Sequence, residues 1–399
     1  MPMYRHQRAF LERLPKCAIL SHEAGTGKSR IACEWLKAHR NQRALIICTK
    51  TIKDKWRQEL NKWGVHNPCL ILSKEEFKKI PIMKLNDIEC LIVDEAQHFS
   101  SPLFITTLRS QASEHLYAFI QSNPSIPRLL LSGNVVRSTP WNIHTLIAMC
   151  GNYIDYREYQ RKYFRLITRP YLPRPAWEPV PGWQAMMQPL INQYCDVAIM
   201  KDCADVPVHE YQSITVPLTP ENQQSWDTVE EEELEPMSVF VKRHRLEAGI
   251  EKLEWLKAYG EEVKKCVVVC HYTSQIEEYA KELRKQKQVF VLTGKTENRG
   301  ELIAAAQAAP ECWFIVQNAV AEGYDLDSFA HMVFASKNYR YIDHAQIEAR
   351  INRIHNLHHN QYITLISGEC DAIIIKAIQA GKDFDPSIYL SKQKHATTS

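Results

Sequence analysis

The chain has no C-x-x-C pair, no apolar run near the ~18 residues of a membrane span, and almost no net charge. Each absence closes off a class of protein. Twelve cysteines are scattered singly through 399 residues, which argues against a disulfide scaffold and against zinc, and for small buried hydrophobes. Cys266 and Cys270, four apart in CVVVC, read as one face of a buried strand. The first residues, MPMYRHQRAF, lack the apolar core of a secretory signal. The expected location is therefore a reducing cytoplasm, bacterial or that of a phage-infected host, with the nucleus as the alternative. A formal charge of +3 is too small to argue for or against nucleic acid, so a phosphate-gripping surface would have to be a local basic groove. No short-period repeat, nuclease signature or zinc element is present.

What is present is ordinary globular composition, 45% hydrophobic and 24% charged, in a chain long enough for two or three domains. The first half alternates short apolar runs with amphipathic stretches. Strands are expected at Cys17–Leu20, Ala44–Cys48, Cys90–Val93 and Leu129–Leu131, with helices at Ser29–Ala38 and Ile52–Trp63. The second half repeats the pattern, with strands at Val267–Cys270, Val289–Leu292, Trp313–Val316, Met332–Ala335 and Tyr362–Ile366. Its helices are expected at Leu246–Tyr259, Gln275–Arg284, His344–Ile354 and Ala372–Gln379. Short buried strands separated by helices imply parallel sheets with crossover connections. Proline density rises between Arg169 and Pro189, an expected irregular insertion, and 203–236 reads as a connection with a solvated acidic run at Glu230–Glu233.

Three polar stretches fall at the ends of expected strands, where parallel sheets place their ligands. His22-Glu23-Ala24-Gly25-Thr26-Gly27-Lys28-Ser29 can wrap a triphosphate. Gly25, Thr26 and Gly27 let backbone N–H groups face phosphate, Lys28 reaches the β- and γ-phosphates, and Ser29 ligates magnesium. The full pattern wants glycine where this chain has His22. Asp94-Glu95-Ala96-Gln97 follows an apolar strand; Asp94 can hold Mg2+ and Glu95 can act as general base on a water. In QIEARINR, the residues Gln346, Arg350 and Arg353 are spaced to share one helix face. The plain reading of that stripe is a solvent face. The sharper one makes Arg350 and Arg353 arginine fingers for a γ-phosphate.

With these residues aligned, the chain resembles superfamily-2 helicases, and among them the Swi/Snf-type double-stranded-DNA translocases, over nearly its whole length. Tyr4-Arg5-His6-Gln7 is similar to the adenine-reading glutamine motif, which implies nucleotide contact by Gln7. The family's loop commonly reads D-E-x-G-x-G-K-[ST], close to residues 22–29 here. Ala44–Leu60 resembles the segment ending in W-x-x-E, here Trp56 and Glu59, whose loop Thr49-Lys50-Thr51 would lie on a nucleic-acid backbone. LSGNVVRSTPWNIHTLI resembles the coupling motif [ST]-G-T-P-x-x-N, with Asn134 and Val135 in place of the usual threonine and proline. Thr293-Gly294 matches a further backbone-contacting pair. NAVAEGYDL is similar to motif five, where Gly323 and Asp325 would line the nucleotide cleft, and Gln346, Arg350 and Arg353 match motif six.

The resemblance implies an α/β fold of two RecA-like parallel-sheet lobes with the ATP site in the cleft between them. The lobes are expected at 1–205 and 241–399, with 206–240 connecting them. It further implies ATP and Mg2+ as cofactors, a nucleic-acid-dependent ATPase, and DNA, double-stranded or branched, as partner. A translocase that does not separate strands, an RNA helicase and an ATP-gated clamp with little hydrolysis stay open. A basic helix with Lys50, Lys53, Lys55, Arg57 and Lys62 is either a backbone grip or a solvated face. The stretch 157–174, mixing Arg161, Lys162, Arg165 and Arg169 with Tyr159, Tyr163, Phe164 and Tyr171, is either a nucleic-acid contact or a helix packed on the first lobe.

Overall fold

The computed structural model describes residues 3–103, 105, 110–133, 135, 139–168, 176–203, 209–229, 236–320, 323–352, 359–380 and 383–384. The chain divides into two compact units, Met1–Asp205 and Val206–Ser399.

In the first unit the strands are β1 (Cys17–His22), β2 (Ala44–Cys48), β3 (Cys69–Ser73), β4 (Cys90–Val93) and β5 (Arg128–Ser132). A hairpin of β6 (Phe164–Ile167) and β7 (Ala176–Pro179) follows, then β8 (Cys195–Ala198). Six of them form one parallel sheet in the order β3-β2-β4-β5-β1-β8. The central strands β2, β4 and β5 are buried along their whole length, so both faces must be covered, and alternate residues feed two separate cores. Leu45, Ile47, Leu91, Val93 and Leu130 join Phe119 and Trp141 on one side. Ile46, Cys48, Ile92, Leu129 and Leu131 join Trp35 and Trp56 on the other. Each such side chain removed from water contributes about 1.5–3 kcal/mol.

The second unit repeats the scheme with β9 (Glu210–Thr215), β10 (Lys265–Cys270), β11 (Val289–Leu292), β12 (Cys312–Gln317), β13 (His331–Phe334) and β14 (Gln361–Ile366). Its parallel order is β11-β12-β10-β13-β14-β9. Cys266, Val268 and Cys270 face one core, and Val267 and Val269 the other. The two cysteines do share one buried face of a strand, and burial pushes both thiols up.

Several expectations need correction. The expected strands do not include the edge strands β3, β8 and β9; each has a neighbour on one side only, and β8 and β9 carry polar residues among the apolar ones, while β3 is a short apolar run without an exposed residue. Within 206–240, β9 pairs with β14, and the second unit begins at Val206. The helix expected at Leu246–Tyr259 is two helices, Pro236–Glu247 and Ile250–Glu262. The carbonyls at their junction, Ala248 and Gly249, accept from the Tyr279 hydroxyl at 3.1 and 2.9 Å. Part of the proline-rich insertion is regular: β7 and a helix Trp183–Tyr194 that runs through Pro189. Residues 169–175 lie outside the described residues.

A buried polar knot ties three helices of the second unit to its sheet. Lys252, fully buried, donates to Asp371 Oδ2 at 2.6 Å and to the Ala335 carbonyl at 2.8 Å. Glu247 accepts from the Cys370 and Asp371 amides at 3.0 and 2.7 Å, satisfying the first turn of helix Glu369–Gln379. The same unit is packed to contact at Gly260, where an added Cβ would lie 2.4 Å from Trp313 Cζ2. Glycine to alanine inside a helix ordinarily stabilises by about 0.5–1 kcal/mol. Here overpacking against a buried indole reverses the sign: Gly260→Ala is expected to destabilise the second unit by about 1–3 kcal/mol. A lower urea midpoint for that unit checks this, and a higher one would show that Trp313 has room to move.

Candidate active site

Strand β1 ends at His22, and after five intervening residues helix Lys28–Ala38 begins. Gly25 and Gly27 both sit at φ +87°, a conformation open to glycine. A Cβ at Gly27 would also come 2.4 Å from Gln7 Nε2, so the end of that side chain would have to move aside. Gln7 is buried beneath the loop. Its Nε2 donates to the Thr26 carbonyl at 3.1 Å, and its Oε1 accepts from the Tyr4 amide at 3.1 Å. His6 Nε2 lies 3.0 Å from the same Thr26 carbonyl, and Thr26 Oγ1 donates to Glu23 O at 2.8 Å. Lys28 Nζ donates to the carbonyls of His22 at 2.7 Å and Glu23 at 3.2 Å. Ser29 occupies the first helical turn, partly buried.

His22, the departure from the glycine pattern, has a structural role. It is fully buried, with Nε2 2.6 Å from Asp196 Oδ1 on β8, and Asp196 is also ion-paired with Arg13. Burial pushes the Asp196 carboxyl up, but the hydrogen bonds from His22 and Arg13 outweigh it and hold the group below its usual range. Glu23 Oε2 accepts from the Met200 amide at 2.7 Å. The root of the loop is thus pinned to the neighbouring chain on two sides.

Asp94 leaves the end of β4, two strands from β1 in the sheet. Its Oδ2 accepts from the Trp56 indole N–H at 2.8 Å and its Oδ1 from the Glu95 amide at 3.0 Å. Burial and then the neighbouring Glu95 carboxylate push the Asp94 carboxyl up to about 6, against the pull of Trp56 and Lys28. Glu95 sits at φ +50°, a left-handed conformation that costs a non-glycine residue about 1–3 kcal/mol. Two contacts from the next turn hold it: Gln97 Nε2 donates to Glu95 Oε2, and the His98 amide to the Glu95 carbonyl at 2.9 Å.

Gln97 continues the chain of contacts. Its Oε1 accepts from Ser132 Oγ at the end of β5 at 2.6 Å, and its carbonyl from Ser100 Oγ at 2.7 Å. Asn142 Nδ2, on helix Trp141–Met149, donates to that Ser100 oxygen at 2.9 Å. Gly133, directly after Ser132, is close enough to Lys28 that an added Cβ would lie 4.0 Å from Nζ. One edge of the first sheet therefore carries the glycine loop, the acidic pair and the serine-glycine turn, wired together. Neither Gln97 nor Asn142 was assigned a role from sequence, although both lie in motifs already noticed, DEAQ and STPWN.

The second unit departs more from expectation. Gln346 lies in helix Tyr341–Glu348, but that helix ends before Arg350, so the two do not share a helical stripe. The chain turns tightly there: the Arg350 amide donates to Ile347 O at 2.8 Å, and the Arg350 carbonyl accepts from the Leu326 amide at 2.9 Å. The Arg350 guanidinium, largely buried, donates from Nε to Gln346 O at 2.7 Å and from Nη1 to Tyr324 O at 2.9 Å. It braces the turn that contains Gly323, at φ +91°, and Asp325. Arg353 and Asn134 lie outside the described residues.

The residues expected on nucleic acid sit at the carboxyl ends of β2 and β11. Thr49 Oγ1 is 3.1 Å from Thr51 Oγ1, and Lys50 is exposed. Thr293 and Gly294 form a turn whose carbonyls accept from Arg299 Nη2 at 3.4 and 3.3 Å. Within the basic helix, Lys53 is paired with Glu76 and Arg57 with Asp54, which shrinks its net charge. Tyr159 and Tyr163 are buried at 2% exposure and Phe164 at 5%, so these three aromatics of the stretch 157–174 belong to the core. Arg169 and Tyr171 lie outside the described residues.

Comparison with known proteins sharpens this geometry. Residues 251–355 match the helicase conserved C-terminal domain. The chain is similar to S. cerevisiae Dbp5 bound to RNA and ADP BeF3, at 10% identity and a TM-score of 0.56, covering 94% of this chain and 87% of that one. A point variant of Dbp5 with the same ligands matches equally well. The chain shares the two-lobe RecA-like fold of these helicase structures. No sequence among the curated proteins matches it. Within this helicase fold the glycine loop, the acidic pair and the brace at Arg350 all fall at strand or helix ends. Among the described residues no helix is long and apolar enough to cross a membrane.

The Trp56 contact is open to direct test. Trp56→Phe keeps a ring in the core and removes the donor from Asp94. A hydrogen bond to a charged group contributes about 1.5–3 kcal/mol, so the variant is expected to lower the stability of the first unit by about that much in urea unfolding. An unchanged midpoint would show that Asp94 does not depend on the indole.

Proposed function

We propose that this chain is a Mg2+- and ATP-dependent motor on nucleic acid: a DNA helicase or translocase of the Swi/Snf-like kind that couples hydrolysis to movement along, or unwinding of, DNA. The observation that carries the reading is the convergence of the loop 25–29, Asp94-Glu95 and Ser132-Gly133 on one edge of the first sheet. A phosphate chain lying on the N-terminus of helix Lys28–Ala38 meets backbone N–H groups and the positive end of the helix dipole. Lys28 then exchanges its two carbonyl acceptors for phosphate oxygens. Gln7, Gly323, Asp325 and Gln346 are proposed as further nucleotide contacts.

Mg2+ fits the donors available. The described residues include no group of three or more His, Cys, Asp or Glu side chains able to cage a metal by themselves. Magnesium is commonly held by one or two carboxylates together with substrate phosphates and water, a demand that Ser29 and the partly buried Asp94 meet. When bound, the ion neutralises charge on the β- and γ-phosphates. Glu95, held in its strained conformation and hydrogen-bonded by Gln97, is positioned to take a proton from the attacking water. The path Glu95–Gln97–Ser132 and Gln97–Ser100–Asn142 gives that event a mechanical outlet into β5 and helix Trp141–Met149. Arg350 and Arg353 are proposed to add positive charge at the γ-phosphate. Arg350's two backbone acceptors make it also a strut. Thr49, Lys50, Thr293 and Gly294 are the proposed backbone contacts.

RNA is the second reading, favoured by one observation: the similar Dbp5 structures hold RNA. Steady-state ATPase measured without nucleic acid, then with single-stranded, duplex and forked DNA and with RNA, separates the two. Stimulation by duplex or forked DNA supports the DNA motor; stimulation by RNA alone replaces it, and no stimulation removes both. Glu95→Gln should bind ATP and lose turnover, and near-normal hydrolysis would take Glu95 out of the general-base role. Arg353→Ala should spare nucleotide binding and slow hydrolysis about 10³–10⁵-fold; an unchanged rate breaks the finger assignment.

A further inference from the structure

The hairpin β6–β7 is not part of either main sheet, and nothing in the nucleotide site uses it. Its root is fixed. Phe164 stacks on Trp141 with ring centroids 4.7 Å apart, and the Val180 amide donates to the Tyr163 carbonyl at 3.0 Å. An isolated two-stranded hairpin is marginal in water, so this anchoring is what makes it a fixed projection. Farther out, Leu166 and Trp177 are cross-strand partners, and they are 56% and 45% exposed. Single exposed hydrophobes are common; a paired leucine and tryptophan held out on an anchored hairpin is less so.

Charge and size decide what would cover this pair. Helix Tyr156–Tyr163 runs straight into β6, and Arg157, Arg161 and Lys162 are exposed on it, against the carboxylates Asp155 and Glu158; Arg165 is exposed too, but it sits opposite Glu178 on the face away from Leu166 and Trp177. A stable protein interface needs about 800 Å² per partner, several times what two side chains present, since even a tryptophan buries only about 250 Å². A single base has a flat face of the right size and carries a phosphate for the cations. We propose that the Leu166–Trp177 end of the hairpin is a stacking platform for an unpaired base of a DNA strand, with the cations at its root holding the flanking phosphates. This rests on the DNA reading above and adds a contact outside the proposed motifs. Tyr159 and Tyr163 point into the core, so Trp177 supplies the stacking surface that the sequence suggested they might.

The test uses forked DNA with 2-aminopurine in an unpaired arm, read by anisotropy for affinity and by 2-aminopurine quenching for stacking. Basal ATPase without DNA confirms that each variant is folded. Trp177→Ala should weaken binding about fivefold to a hundredfold, the range for losing one base–aromatic stack, and relieve the quenching. Trp177→Phe should retain most of both, whereas Trp177→Leu, apolar without a π-face, should behave like alanine. Wild-type affinity and quenching in Trp177→Ala, with DNA-stimulated hydrolysis intact, overturns the platform and leaves the motor reading standing. Equal losses in the alanine, leucine and phenylalanine variants overturn stacking in favour of a packing role. Trp177-dependent binding of an RNA fork but not the DNA fork overturns the assignment to DNA. A wild-type protein that neither binds nor is stimulated by any nucleic acid removes the motor reading, and the platform with it.

Discussion

Parallel strands buried on both faces set the terms for everything else in this protein. Such strands can be joined only by crossovers, and the crossovers here are helices that cover the two faces of each sheet. Every strand of a sheet then ends at the same edge. Residues far apart in sequence, Gly25, Asp94 and Ser132, arrive together because β1, β4 and β5 are adjacent and point the same way. The hydrophobic cores on either side, with Trp35 and Trp56 in one and Phe119 and Trp141 in the other, keep that edge from shifting.

Upon this frame the polar groups form a continuous path rather than a collection of side chains. The Trp56 indole reaches Asp94 from a helix in the adjoining core, and Gln97 joins Glu95 to Ser132. Ser100 passes the same contact to Asn142. Glu95 occupies an unfavourable backbone conformation that this path holds in place. Strain held by neighbours at the end of a buried strand is a common feature of switching sites. The second unit has its own device, the Arg350 guanidinium bracing the turn after Gly323. A basic side chain that sequence assigns to a phosphate is here also a structural clamp.

Much of the fold was legible because burial writes itself into composition. ALIIC, CLIV and KCVVVC are apolar on both faces, and each is a strand. The edge strands were less legible: EYQSIT pairs on one side only, so half its residues face water and it looks like a connection. The glycine loop and the acidic pair stood out because the chemistry proposed for them demands particular residues at fixed spacing. The motif-six stripe misled in part. A spacing of four suggests one helical face, but a tight turn ends the helix before Arg350. Spacing cannot register a terminus imposed by the contact of Leu326 with the Arg350 carbonyl.

By itself, the sequence determined the two-lobe α/β class and the strands at the centre of each sheet, and it offered candidate residues for a triphosphate and its metal. These follow from local hydrophobic period and from side-chain chemistry, both of which are properties of short segments. Only the tertiary structure decided that His22 anchors the loop to Asp196, that Gln7 lies beneath Thr26, and that Tyr159 and Tyr163 are core while Trp177 is not. Each of those outcomes depends on a partner tens to almost two hundred residues away, or on which side of a helix meets the sheet. Such partners are chosen by packing, and packing is settled only once the whole chain has folded.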